Sequence, residues 1–118
     1  MKKENVIVEK SKVFAIDIVK LYQYLCNSKH EYILSKQLLR SGTSIGANIS
    51  EAVHAQSRAD FHAKASIAEK EAGETSYWLE LLYETEYLDQ DYYEQLMPKC
   101  EELIKILVAI TKNTKSDK

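Results

Sequence analysis

Between positions 61 and 82, apolar or small residues recur alternately four and three positions apart: Phe61, Ala65, Ala68, Ala72, Thr75, Leu79 and Leu82. This heptad seam runs through three repeats and puts one continuous stripe on a single side of a helix. The small residues at its centre call for a close neighbour. Three further segments carry the same signal. Phe14, Ile18, Leu21 and Leu25 line one face of a first helix. Leu38, Ile45, Ile49, Ala52 and Val53 line a second, and Tyr93, Leu96, Cys100, Leu103, Leu107 and Ile110 a fourth.

Only three Gly and one Pro occur in 118 residues, too few for a turn-rich β architecture. The pattern predicts an all-α chain, one antiparallel up-down-up-down four-helix bundle over residues 1–118. Its helices are expected at about 10–26, 32–56, 58–86 and 91–112, with a polar tail at 113–118. Ser57, followed three residues later by Asp60, reads as the cap of the third helix. Leu88-Asp89-Gln90-Asp91 reads as the last turn. Pro98 implies a kink or a first-turn placement in the fourth helix. Gly42 and Gly46 each lower helix stability by ~1 kcal/mol against Ala, so a neighbouring backbone is expected close to both.

The N-terminus lacks the apolar stretch of a signal peptide, and no run approaches the ~20 apolar residues of a membrane span. A cytoplasmic protein is expected, with Cys26 and Cys100 as small buried hydrophobes. The net charge of −2 conceals an asymmetry. Residues 1–70 hold 11 Lys/Arg against 7 Asp/Glu, a net of +4; residues 71–118 hold 5 against 11, a net of −6. A basic half is able to meet phosphate and an acidic half repels it. The alternative is two ordinary solvated surfaces.

Motifs for chemistry are sparse. Glu51-Ala52-Val53-His54 matches one Glu-x-x-His unit of a di-iron bundle, which needs two such units and two further Glu. No metal and no cofactor is therefore expected. Arg58 and His62 lie one turn apart, one residue closer than in helical RNA-cleaving domains with an Arg–His pair. There is no phosphate-cradling loop of the Walker type and no nucleophile–base set. The chain is not expected to be an enzyme. Lys36, Arg40, Arg58 and Lys64 are the candidate phosphate contacts, with few aromatics between them for base stacking.

The third helix has more apolar surface than one core requires. Ile67, Glu71, Glu74, Trp78 and Leu81 form a second row, again stepping four and three, away from the seam through Leu79. A helix with two seams touches two sets of partners, so this row is the candidate oligomer interface. Glu71 and Glu74 would then need Lys or Arg from a neighbouring subunit, because an unpaired buried carboxylate is costly. Val13, Ile16 and Val19 also lie off the main stripe of their helix. A wide stripe serving a monomeric core is the competing explanation.

The stretch from Gln37 to Ala52 (QLLRSGTSIGANISEA) resembles the second-helix signature of the bacterial four-helix bundle proteins of the 23S rRNA intervening-sequence family. Asp60–Lys64, Ile67–Ala72 and Glu74–Leu79 resemble its third helix. The resemblance extends from about Phe14 to Lys112. It implies an antiparallel bundle that assembles as a homopentamer, with nucleic-acid binding as the usual suggestion for its role. The family is similar to the basic accessory protein of diversity-generating retroelements, which binds a reverse transcriptase and nucleic acid. The net negative charge of this chain departs from that relative. The expected function is thus a homo-oligomeric, RNA-associated bundle; the alternative is a protein-binding adaptor ring that recruits a nucleic-acid-processing enzyme.

Overall fold

The structure, a computed structural model, describes residues 2–115, with side chains from Val6 onward. Positions 116–118 of the polar tail lie outside the described residues. Four helices follow one another: α1 (Lys2–Ser28), α2 (Leu34–Ala52), α3 (Arg58–Glu84) and α4 (Gln90–Thr114). Each packs on its neighbours in chain order, and α4 closes back on α1. Among the described residues no Cα atom of α1 comes within 8 Å of one in α3, nor one of α2 within 8 Å of one in α4. The result is an up-down-up-down bundle with α1 and α3 at opposite corners. The seam between α1 and α4 is the thinnest of the four.

The predicted stripes form the core. Phe14, Ile18, Leu21 and Leu25 meet Leu38, Ile45 and Ile49, and the Ala65–Ala68–Ala72–Leu79 seam meets Cys100, Leu103 and Leu107. Small residues let α3 approach closely. Thr75 is buried opposite Ser41, with the two hydroxyl oxygens 2.9 Å apart, and the Cys100 thiol donates to the Ala72 carbonyl. Phe61 and Tyr93 are only partly buried at the margins of the core.

Several boundaries differ from expectation. α1 begins eight residues earlier than position 10, because Ser11 and Ile7 continue its buried stripe one and two turns back from Phe14. α2 is shorter at both ends. Glu31 is buried and its carboxylate accepts the backbone N–H groups of Ser35 (2.6 Å), Leu34 (2.9 Å) and Ile33 (3.2 Å). These are the donors a helix start leaves without intrahelical partners, so the chain enters α2 only after Ile33. At the other end Val53 lies beyond the helix and is exposed, not in the core.

Ser57 and Asp89 cap α3 and α4, accepting the Asp60 and Tyr92 N–H groups. Pro98 lies well inside α4 on its exposed side, beyond the first turn. Gly42 and Gly46 mark close approaches to α1. A Cβ at Gly42 would stand 2.8 Å from the Ile18 side chain, and one at Gly46 would stand 3.3 Å from the Ser11 carbonyl oxygen. Backbone is the near neighbour at Gly46, a branched side chain at Gly42.

Candidate interaction surfaces

α2 and α3 run antiparallel, so residues early in α2 face the second half of α3. This register sets the partners of the four basic candidates. Arg40 projects from the flank of α2 toward α3 and pairs with both Glu71 (3.3 Å) and Glu74. Glu74 also accepts the Trp78 indole N–H at 3.0 Å. The indole and the guanidinium together hold the Glu74 carboxyl below its usual range, and Glu74 in turn raises Arg40. The cation that the sequence reading assigns to another subunit thus comes from Arg40 of the same chain. The α2–α3 register brings position 40 level with positions 71 and 74.

Lys64 pairs with Glu51 at 2.8 Å, which raises its pKa. Arg58 donates to the Asn113 carbonyl (2.6 Å) at the end of α4, where His62 Nδ1 meets the Thr114 hydroxyl (2.9 Å). The Arg58–His62 pair therefore ties two helix ends together. Lys36 is exposed and takes part in no ion pair among the described residues. From Lys36 to the end of α2, beside which α3 begins with Arg58, the four candidates spread over roughly 25 Å at 1.5 Å per residue. Three of them are already engaged.

Other singled-out residues resolve in the same way. His54 is exposed, and Glu51 is used by Lys64. No group of three or more His, Cys, Asp or Glu side chains able to hold a metal forms among the described residues. Ser44 donates to the Arg40 carbonyl (2.6 Å) and Asn48 to the Ser44 carbonyl (2.8 Å), while Ser41 packs on Thr75. No helix among the described residues is long and apolar enough to cross a membrane.

The second row of α3 is partly open. Ile67 is 42% exposed; Trp78 and Leu81 are half-buried, and Trp78 leans on the core with its neighbour Tyr77 edge-on at 5.1 Å. A larger apolar surface lies on α1, where Val6, Val8, Val13, Ile16 and Val19 are all exposed. Val13, Ile16 and Val19 stand off the main stripe as the sequence indicates. Val6 and Val8 escape a reading that starts the helix at position 10; the Val6-Ile7-Val8 run is the signal that could have found them. On either side of this ridge lie open grooves of about 350 Å³ toward α4 and 480 Å³ toward α2.

A crystal structure of a protein of unknown function from the S23 ribosomal protein family of Bacteroides thetaiotaomicron superposes with a TM-score of 0.91. It is 55% identical, covering 93% of this chain and 98% of that one. No curated protein matches the chain. Residues 3–109 match the family described as 23S rRNA-intervening sequence protein, and the chain belongs to that family.

Proposed function

We propose that this chain is a non-enzymatic bundle that assembles with copies of itself, as an RNA-associated protein of the rRNA intervening-sequence type. The observation that carries self-assembly is the exposed aliphatic surface: Val13, Ile16 and Val19 on α1 and Ile67 on α3 face outward in a single copy. The α1 run is contiguous while Ile67 stands apart on the opposite corner, and contiguous apolar surface marks interaction sites. The family's name and the basic first half of the chain support the RNA reading. With Arg40, Arg58 and Lys64 engaged within the chain, Lys36 alone of the four candidate contacts stays out of an ion pair or side-chain hydrogen bond among the described residues, so RNA affinity rests on repetition around the assembly. Both ring nitrogens of His62 meet hydroxyls, those of Thr114 and Ser66, which favours a structural over a catalytic role.

Light scattering on the purified chain, followed by filter binding to structured rRNA at low salt, tests the proposal. An oligomer, with a pentamer the expected size, that retains RNA and releases it as salt rises is the expected result. An intact oligomer that retains no RNA at low salt removes the RNA half. A nuclease-resistant protein partner recovered from the native host would favour the adaptor reading, which the two apolar grooves beside α1 also suit. RNA cleavage lost in His54→Ala or His62→Ala would overturn the non-enzymatic assignment.

A further inference from the structure

We infer that RNA meets one end of the bundle, formed by the start of α1, the α2–α3 connection and the finish of α4, and that the opposite end repels it. The inference rests on the RNA reading and names the surface that carries it. Folding brings these segments together. Arg58 reaches the Asn113 carbonyl at 2.6 Å, His62 the Thr114 hydroxyl at 2.9 Å and Lys64 the Glu51 carboxylate at 2.8 Å. At the other end α1 finishes beside the start of α4, with the rings of Tyr24 and Tyr92 4.8 Å apart. There α3 also finishes against α4, through the stacked rings of Tyr83 and Tyr93 at 4.1 Å.

Charge divides along this axis. With every helix cut at mid-length, residues 2–15, 44–70 and 102–115 belong to the first end and hold 10 Lys/Arg against 6 Asp/Glu, a net of +4. Residues 16–43 and 71–101 belong to the second and hold 5 against 11, a net of −6. No Lys or Arg occurs from Glu71 to Pro98, a stretch that includes Glu80, Glu84, Glu86, Asp89, Asp91 and Glu94. Packed helices lie ~8–10 Å apart, within the ~10 Å reach of a charge in 0.1 M salt, so these carboxylates oppose the pull of Lys29 and Lys36 on phosphate. The bundle is 47 Å long, and cations at the far end escape them. There Lys12, Lys112 and Lys115 are exposed and take part in no ion pair among the described residues. Arg58 bonds to a neutral carbonyl, which aims the guanidinium and leaves its charge whole. All eight tyrosines and the one tryptophan fall in the second half, so the first makes phosphate contacts and does not stack bases. Of the four candidates read from the sequence, Arg58 and Lys64 thus stand at the binding end, Lys36 and Arg40 at the repelling one.

Two double charge reversals, equal in their effect on net charge, separate position from total charge. Lys112→Glu with Lys115→Glu alters the first end, and Lys29→Glu with Lys36→Glu the second; all four side chains are exposed. Structured rRNA is the probe, in filter binding across a salt series, with circular dichroism and light scattering to verify that fold and particle size match the wild type. The first pair is expected to weaken binding ~30-fold or more at low salt and to lower the log–log salt slope by about two, one for each lost phosphate contact, while the second stays within about threefold of the wild type. Should a reversal disturb the fold, Lys→Gln at the same positions gives the same comparison. If the first pair binds like the wild type, or the second weakens binding as much, the end preference is wrong while RNA association stands. A wild type that retains no RNA at low salt overturns both.

Discussion

Arg58 donates a 2.6 Å hydrogen bond to the main-chain oxygen of Asn113, joining the first residue of α3 to the last turn of α4. The terminal carbonyls of a helix have no donors of their own, and a guanidinium there also faces the negative end of the helix dipole. Arg58→Ala is expected to speed hydrogen exchange in the last turn of α4 by about fivefold, the worth of one ordinary hydrogen bond. Unchanged exchange at positions 111–114 would show the contact to be idle.

Glu31 performs the matching task at the start of α2. Glu31→Ala leaves three N–H groups without their acceptor, and a loss of about 1–3 kcal/mol is expected in urea denaturation. Glu31→Gln retains one acceptor oxygen and should fall between the wild type and Ala. A Gln variant as unstable as Ala would mean that the charge, and not the acceptor, holds the turn.

Two glycine-to-alanine changes should have opposite signs. At Gly73 a Cβ meets nothing within 4 Å, so Gly73→Ala is expected to stabilise by about 0.5–1 kcal/mol through the unfolded chain and helix propensity. At Gly42 the new methyl lies 2.8 Å from Ile18, a stiff branched side chain, and overpacking of about 1–3 kcal/mol outweighs the gain. Denaturation midpoints of the two variants decide the matter; equal shifts would refute the close approach of α1 and α2.

Burial, with a smaller effect of Glu101, pushes the Cys100 thiol up to about 12. In the unfolded chain it ionises near the ordinary value of about 8.5, so between those limits the unfolded state binds fewer protons. Stability contributed by Cys100 is full below about pH 8.5 and falls by up to about 1.4 kcal/mol per pH unit toward 12. Cys100→Ala should flatten that part of the curve. Thiol labelling of the folded protein at pH 8 should reach one cysteine, Cys26, and a second rapid label would contradict the burial of Cys100.

Glu74 titrates below the usual carboxylate range because the Trp78 indole and Arg40 both favour its ionised form. Its contribution to stability is therefore present above the ordinary glutamate pKa and disappears as acid protonates the folded carboxyl. Trp78 emission should report this protonation directly, with a midpoint below that of a free glutamate, and Glu74→Gln should abolish the step. A wild-type midpoint at or above the ordinary value would be evidence against the network.

Helix content, the seams through Leu21, Leu38, Ala72 and Leu103, the cap at Ser57 and the turn at 88–91 are all legible in the order of the amino acids. They depend on spacing along one helix or on contacts within one turn. The start of α1 is obscured by a local ambiguity, since the β-branched Val6-Ile7-Val8 run sits among charges and only its Ile7 turns inward. The fates of Arg40 and Arg58 are not legible at all. Their partners lie 31 to 34 and 55 positions away in sequence, and which charges meet depends on helix adjacency and register.

The sequence by itself thus determined that four amphipathic helices would form and which face of each would be buried, because periodicity and caps act locally. Tertiary structure alone decided that three of four candidate phosphate contacts are engaged within the chain, and that apolar ridges emerge at opposite corners of the bundle. Those outcomes follow from how antiparallel neighbours align along their shared axis, a choice made by the packing of all four helices together.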